Sequence, residues 1–356
     1  MSFISAMLLT VASSQASPAI DINTDDYHIE TIKNAIPIKR TSPRYPANAA
    51  RKGQEGWVQV SYVVNEKGEV ESAVVENSSG IASFEKAALR AVKSWEFSPA
   101  TQNKKPVKQC QNQIQLDFRL HQADKGVSRK FLTRYKKLVT DIENDALENV
   151  PQQITELRAL NLGNFTEDSY FWFAKSRYYN KVGDQVKELH ALDNFIHQGK
   201  DYMKREVFVA SVARAIALKL DQNKLKSAAR TFEMLSETRG AEAYTKELFP
   251  YIDKVQALID DKNRPIWVQG KISEHALWRH ELVRNAFTIA NIQGDLTSLE
   301  VRCANQYSVY EITQGIQWNI PQSWQGCLVF VHGRQGASFN LIETAAAVQQ
   351  SATDKA

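Results

Sequence analysis

The sequence lacks long apolar runs. The run from Phe3 to Ala12 (FISAMLLTVA) spans only about ten residues, whereas a membrane-spanning helix needs roughly 20. The small residues SSQA follow it and offer a cleavage position after Ala16, as in an export signal, although no positive charge lies close to Met1. We therefore expect a signal peptide at residues 1–16 and a soluble mature protein without a stable transmembrane anchor. The alternatives are a frayed terminus and a start codon further upstream.

Proline and net charge are also low. The chain has 10 prolines among 356 residues and no proline-rich tract, which excludes a long extended spacer. Its net charge of +4 is mild. A nucleic-acid-binding protein usually concentrates a strong basic patch, so we expect no nucleic-acid partner. The composition, 43% hydrophobic and 24% charged, is that of a globular protein long enough for two or three domains.

Cysteine occurs only at Cys110, Cys303 and Cys327. Disulfides persist in exported proteins, and Cys303 and Cys327 lie in one small β-rich stretch, so we expect them to pair. Cys110 is left over. No activating partner is evident for it, and we expect a buried or free thiol rather than a catalyst.

The seven histidines do not suggest a metal site. His275 and His280 are five residues apart, which on a helix separates their side chains by about 140°. His190 and His197 share a helical face but lie about 10 Å apart along the axis, too far for one metal with ligands near 2 Å. VHGRQG at 331–336 lacks the spacing of a phosphate loop. We expect no enzyme, no metal and no cofactor.

Residues 37–121 show the pattern of a β-β-α-β domain. Two alternating runs flank a turn at residues 65–69, where Gly68 supplies a permissive backbone. Ser83 is placed to cap a helix, and the apolar face of that helix consists of Phe84, Ala87, Ala88, Ala91, Val92 and Trp95. The alternation is clearest in the last strand, with its apolar residues Ile114, Leu116, Phe118 and Leu120. An apolar helix face that meets an apolar sheet face predicts a two-layer α+β domain.

This ordered set of motifs resembles the C-terminal domain of TonB, the energy-transducing protein of Gram-negative envelopes. The matching residues are Tyr45-Pro46, Ala49, Gly53, Gly56, Val58, Val60, the Gly68 turn, NSSG at 77–80, FEKAALRAV at 84–92, WEFSPA at 95–100 and Pro106-Val107. The match covers about a quarter of the chain. A full transducer also has a membrane helix and a long proline-rich spacer, and the sequence shows neither. The resemblance therefore implies the binding module but not energy transduction.

The resemblance also implies a function. In the TonB family the last strand lies at a sheet edge and pairs with the short "box" peptide of an outer-membrane receptor. The peptide-binding residues implied here are Tyr45, Pro46, Gln111, Gln113, Gln115 and Arg119. We expect a periplasmic adaptor for an extended peptide of a TonB-dependent receptor or another envelope protein, and a homodimer is left open. The alternative is a periplasmic scaffold or assembly protein without receptor binding or energy transduction, in which the chain's own helices or self-association cover the edge.

Helical periods dominate residues 124–260, where glycine and proline become sparse. Phe171 and Phe208, and likewise Asp184 and Asp221, repeat at an offset of 37 residues, close to the length of a tetratricopeptide (TPR) repeat. The pattern predicts a TPR-like array of helical hairpins, with an unrelated helical bundle as the alternative. Either arrangement presents a surface to a partner.

Residues 261–345 read as a small β-rich domain, in which SLEVRC, SVYEIT, CLVFVHG and SFNLIE have strand character and residues 273–286 predict a short helix. Its four tryptophans are Trp267, Trp278, Trp318 and Trp324. They either fill a thin core or form a carbohydrate- or peptide-binding platform. The predicted class is thus α+β. The predicted segments are a signal peptide (1–16), a leader (17–36), a TonB-C-like domain (37–121), a helical region (124–260), a β-rich domain (261–345) and a flexible tail (346–356).

Overall fold

The computed structural model describes residues 32–120, 126–160, 164–321, 323–324 and 326–345. The expected signal peptide, most of the leader and the C-terminal tail lie outside these residues. Among the described residues, no helix combines the length and the hydropathy needed to cross a bilayer. A sheet domain, a helical region and a sheet-rich region follow one another, so the α+β class is confirmed.

The N-terminal region has a helix-covered sheet. Its elements are β1 (Ile32–Lys33), β2 (Ile36–Lys39), α1 (Ala47–Arg51), β3 (Gly56–Val64), β4 (Val70–Ser78), α2 (Ala82–Val92), β5 (Glu96–Ser98), β6 (Ala100–Gln102), β7 (Lys105–Val107) and β8 (Gln109–Phe118). Strands β4, β3 and β8 form an antiparallel sheet in that order. Helix α2 covers one face, where Phe84 stacks on Phe118 with ring centroids 4.3 Å apart. The predicted β-β-α-β arrangement is confirmed.

The central strand β3 is buried on both faces. Val58, Val60, Tyr62 and Val64 belong to the core under α2. On the opposite face, Trp57, Ser61 and Val63 are at most 2% exposed. An antiparallel sheet with one helical layer commonly leaves its second face to water. Here the later regions of the chain cover that face.

Residues 96–107 form three short strands. Strand β5 pairs with β2, and β6 lies between β1 and β7. The Phe97 amide donates to the Gly68 carbonyl at 2.8 Å. Gly68 has a φ of +83°, and a Cβ there would collide with the Phe97 carbonyl. The turn therefore requires glycine for two reasons, its backbone angle and this close approach.

The predicted cap of α2 is wrong. The helix begins at Ala82, so Ser83 lies within its first turn, and Ile81 is the N-cap without a side-chain hydrogen bond. The N-terminal amides of α2 bond to backbone instead, since the Phe84 amide donates to the Ile81 carbonyl at 2.8 Å. A serine is a cap only when its backbone is extended, and sequence alone does not fix that angle.

The central region is built of helical hairpins. Its elements are α3 (Arg129–Glu143), a 3₁₀ turn (Leu147–Asn149), α4 (Val150–Arg158), α5 (Phe165–Val182), α6 (Gln185–Tyr202), α7 (Arg205–Asp221), α8 (Leu225–Ser236), α9 (Glu242–Asp253) and α10 (Val255–Asp260). Gly183 ends α5 in the left-handed conformation, and Asp184 caps α6 by accepting from the Lys187 amide at 3.0 Å. The predicted helical region is confirmed. Its relation to TPR repeats stays a prediction.

The C-terminal region has two four-stranded sheets. Its elements are β9 (Ile266–Lys271), β10 (Leu277–Glu281), β11 (Ala286–Gln293), β12 (Leu296–Arg302), β13 (Tyr307–Tyr310), β14 (Gln317–Asn319), β15 (Leu328–Gly333) and β16 (Ser338–Thr344). One sheet has the order β10-β15-β12-β13 and the other the order β14-β11-β16-β9. Both sheets contribute to one core, and the expected disulfide between Cys303 and Cys327 lies in it.

The helix predicted at residues 273–286 is wrong. Leu277–Glu281 form strand β10, which pairs with β15. A short apolar run does not separate a helix from a strand, and the ladder to β15 decides here. Trp278 packs edge-on to Phe339, and Trp318 stacks on Phe287. These two tryptophans therefore fill the core, whereas Trp267 is 48% exposed.

Candidate peptide-binding edge

The register of the sheet decides which backbone groups of β8 are free. The Trp57 carbonyl accepts from the Ser79 amide at 2.9 Å, so the backbone groups of Trp57 face the β4 side. These groups alternate along a regular strand. Val58 and Val60 therefore direct theirs toward β8, where Leu116 and Ile114 are their partners.

It follows that Gln113, Gln115 and Asp117 direct their N–H and C=O groups away from β3. Strand β8 ends the sheet, and the described residues supply no backbone hydrogen bond to these outward groups. The edge is therefore open over residues 113–117, as far as the described chain reaches. We refer to residues 113–117 as the β8 edge.

The beginning of β8 is covered by the C-terminal region. The Cys110 amide donates to the Ala304 carbonyl at 3.1 Å. The Gln111 side-chain amide donates to the Arg302 carbonyl at 3.1 Å and also to the Gly326 carbonyl. Gln111, a predicted peptide-binding residue, is thus engaged within the chain, next to the open edge rather than in it.

The other predicted polar side chains lie along the edge and past its end. Gln113 donates to the Glu76 carboxylate. Gln115 donates to the Asp117 carboxylate at 2.9 Å. Arg119 pairs with that same carboxylate at 2.9 Å, and its guanidinium also bonds to the Tyr202 hydroxyl at 2.9 Å. The β8 edge therefore presents amide side chains at its centre and an anchored cation just beyond Asp117.

Tyr45 and Pro46 lie beside the end of β8, where Tyr45 packs against the core. The Tyr45 ring meets Phe84 and Phe118 edge-on, with centroids 5.5 and 5.9 Å away. Its hydroxyl donates to the Gln54 carbonyl, and burial raises the pKa of Tyr45 to about 12. Pro46 is the N-cap of α1. The two residues fix α1 against the sheet.

The helical region closes the second face of the sheet through buried polar contacts. The Trp57 indole donates to Asp168 at 3.0 Å. Arg158 bonds to the other carboxylate oxygen of Asp168 at 3.3 Å and also to the Ser79 carbonyl. Burial raises the pKa of Asp168, and the charge of Arg158 and the Trp57 hydrogen bond oppose that rise.

The C-terminal region closes the same face through Arg302, whose side chain is fully buried. Arg302 donates twice to the Glu300 carboxylate, at 2.9 and 2.6 Å. It also reaches the first region, bonding to the Ser61 hydroxyl at 3.2 Å and the Ser72 carbonyl at 3.1 Å. The sequence reading missed this residue. The available signal was a Glu and an Arg, two apart on one face of the strand SLEVRC, whose other face is apolar.

The remaining chemistry of the described residues is limited. Nowhere among them do three His, Cys, Asp or Glu side chains approach closely enough to hold a metal ion. Burial raises the pKa of Cys110 to about 12. Its thiol is therefore protonated at neutral pH and is a poor nucleophile.

A helix-covered sheet with an unpaired edge strand is the geometry that strand-addition modules use. Residues 41–120 match the family model of the Gram-negative bacterial TonB protein C-terminal domain. The resemblance read from the sequence is therefore confirmed for residues 41–120, which are similar to the TonB C-terminal domain.

Two curated proteins are similar to part of the chain. Protein tonB2 of Pseudomonas aeruginosa is 35% identical over 88 residues, which are 25% of this chain and 32% of that protein. Protein TonB of Vibrio cholerae is 34% identical over 67 residues, or 19% and 28% of the two chains. The chain thus spans about a third of the length of these relatives.

Two solved structures also align with the chain. The solution structure of the Pseudomonas aeruginosa TonB C-terminal domain has 25% identity and a TM-score of 0.23, covering 29% of this chain and 95% of that one. The TonB2 protein from Vibrio anguillarum has 23% identity and a TM-score of 0.22, covering 32% of this chain and all of that one.

Proposed function

We propose that this chain is a TonB-like protein-binding adaptor of the Gram-negative envelope that captures an extended peptide by strand addition to the β8 edge. The observation that carries the proposal is the outward, unpaired backbone of Gln113, Gln115 and Asp117. A peptide strand would satisfy those groups, and Gln115 would contribute to side-chain selection. The proposed partner is a segment of a TonB-dependent outer-membrane receptor or of another envelope protein.

The size of the open edge limits the affinity. Each hydrogen bond contributes about 1 kcal/mol net, and the ordering of a flexible peptide opposes binding. Three residues with two outward groups each therefore support a complex of about micromolar affinity or weaker. Such a complex is suited to reversible capture.

A second candidate function is an envelope scaffold that keeps the TonB-like fold without receptor binding. It is favoured by the burial of Trp57 and Ser61 beneath the chain's own later regions and by the contact of Ala304 with the Cys110 amide. In both functions we propose a periplasmic location and no catalytic activity. Retention of the full-length chain in the inner membrane after a high-salt wash would contradict the location.

We expect Gln113→Pro to abolish partner capture while the fold survives. Proline removes the outward amide of residue 113 and blocks a regular added strand, and the inward bonds of Ile114 remain. Tagged wild-type and variant chains are compared for capture from an envelope extract, with far-ultraviolet circular dichroism as the folding check.

The matched control is Ile114→Pro, which removes an inward amide and should lower stability because it breaks the ladder to β3. A conservative second probe is Gln115→Lys, which should weaken capture by about 1 kcal/mol, the scale of one cross-strand pair. A folded Gln113→Pro chain that captures the same partner equally well would move the site away from the edge. Loss of self-association in that variant, without any captured protein, would instead support a homodimer formed through β8.

A further inference from the structure

We propose that a cavity where the three regions meet binds a small dianion, a dicarboxylate or a phosphate. The cavity has a volume of about 370 Å³ and is open to solvent. Its wall takes Gln59 and Glu76 from the N-terminal region, Asp193 and Lys224 from the helices, and Lys271 from the C-terminal region. A volume near the lower end of the range for ligand pockets suits a small solute rather than a folded partner.

The charges around the cavity are unequal. Four cations line it, Lys219, Lys224, Lys271 and Arg279, against two carboxylates, Asp193 and Glu76. Both carboxylates already have cationic neighbours. Lys219 lies 2.9 Å from Asp193, and Arg279 lies 3.5 Å from Glu76.

Two cations remain without a carboxylate of their own. Neither Lys224 nor Lys271 forms an ion pair or a side-chain hydrogen bond with the described residues. Lys224 is half-buried at the start of α8, and Lys271 ends β9 and is exposed. Burial lowers the pKa of Lys224, and the neighbouring Lys219 lowers it further, although Asp193 opposes the shift. The residues that line the cavity thus carry two more positive than negative charges. One of the positive charges, the ammonium of Lys224, is partly desolvated.

An anion with two charges would compensate this excess. A half-buried ammonium without a partner destabilises the folded chain, and a charge-assisted hydrogen bond to a carboxylate or phosphate oxygen reverses that cost. Amide groups of Gln59 and Gln269 in the wall can donate to further oxygens, and Trp278 provides an apolar side. The nearby His190 adds no charge at neutral pH, because burial lowers its pKa to about 4.

Binding is tested on the full chain with succinate and with inorganic phosphate as separate probes, at constant ionic strength maintained with sodium chloride. We expect saturable binding of at least one probe by isothermal titration calorimetry, with a dissociation constant of about 1 mM or tighter. The same probe should raise the thermal midpoint, because a ligand that contacts three regions binds only the folded chain. The probe that binds shows whether the site prefers a dicarboxylate or a phosphate.

Lys224→Met separates the site from general salt effects. We expect this variant to bind at least about tenfold more weakly, the size of one charge-assisted hydrogen bond. Without a ligand it should be as stable as the wild type or more so, because the unpaired charge is gone. The matched control is Lys137→Met on α3, exposed and remote from the cavity wall, which should bind like the wild type.

Two results would overturn the proposal that the cavity binds an anion. Absence of saturable binding of both probes to the wild type overturns the proposal, and so does a Lys224→Met chain with unchanged affinity. If Lys224→Met does not fold, Lys271→Met at the exposed side of the cavity replaces it, with a several-fold weakening expected. Peptide capture at the β8 edge is measured separately, so failure of one proposal leaves the other intact.

Discussion

Replacing Arg302 with methionine should lower the free energy of unfolding by about 3–5 kcal/mol, the cost of breaking a buried ion pair from one side. Methionine retains most of the volume of the side chain but none of its donors. Glu300 would keep His332 as a partner at 2.8 Å and lose both bonds from Arg302. The Ser61 hydroxyl and the Ser72 carbonyl would lose a partner from another region at the same time. Equilibrium unfolding in urea measures the change.

The matched control is Arg334→Met. Arg334 lies in the same region, its side chain is 82% exposed, and its nearest carboxylate, Asp295, is 3.9 Å away. A surface pair of this kind contributes little, so the control should unfold like the wild type. An Arg302→Met chain within about 1 kcal/mol of the wild type would show that the network does not hold the regions together.

The effect of Arg302→Met should also depend on pH. Burial raises the pKa of Glu300, but the His332 hydrogen bond and the charge of Arg302 outweigh burial and hold it below its ordinary value of 4.5. A lowered carboxyl pKa gives stability that is present above the ordinary value and is lost as the pH falls toward the folded value. The difference between wild type and variant should therefore be full at neutral pH and shrink below about pH 4.5.

The second large effect concerns the disulfide. The double variant Cys303→Ala and Cys327→Ala should be less stable by about 3 kcal/mol in the chain-entropy model, because the bond closes a loop with a sequence separation of 24 residues. Both cysteines are buried in the core between the two sheets. The measurement is equilibrium unfolding of both proteins with and without reductant.

Reductant serves as the control, because it should destabilise the wild type and leave the double variant unchanged. Mass mapping of unreduced peptides checks the bond directly, and free thiols at both positions would contradict it. The bond also lies next to Ala304 and Gly326, the residues that contact Cys110 and Gln111. We therefore expect faster amide hydrogen exchange at Cys110 in the double variant.

The sequence predicted the elements whose own residues carry a regular apolar period. The alternation of Ile114, Leu116 and Phe118 placed β8 correctly, and the apolar spacing around Phe84 placed α2. Amphipathic periods likewise predicted the helices of residues 124–260. Each of these patterns records burial within one element, so a local reading recovers it.

The sequence did not predict the contacts between regions. Trp57 bonds to a residue 111 positions away and Ser61 to one 241 positions away, and no local period encodes such pairs. The short strands β5 to β7 were missed because they exist only through pairing with other short strands: β5 pairs with β2, and β6 pairs with β1 and β7. For the candidate site, the resemblance pointed to strand β8, and peptide binding there stays a prediction. Register was needed to show that Gln113 and Gln115 face outward and that Gln111 is covered.

The sequence separation between Ser61 and Arg302 also sets a delay during synthesis of the chain. A ribosome that adds about 5–20 residues per second needs roughly ten seconds to a minute to make the 241 residues that separate them. Throughout that interval Ser61 and Val74 lack the C-terminal region that covers them in the folded chain, whereas Trp57 gains its cover earlier, when the helix that carries Asp168 is made. The growing chain therefore leaves this part of the sheet face uncovered until β12 and its neighbour β15 have both been made. Chaperone dependence of this protein should fall once a truncation series extends past β16, because both C-terminal sheets are complete only then.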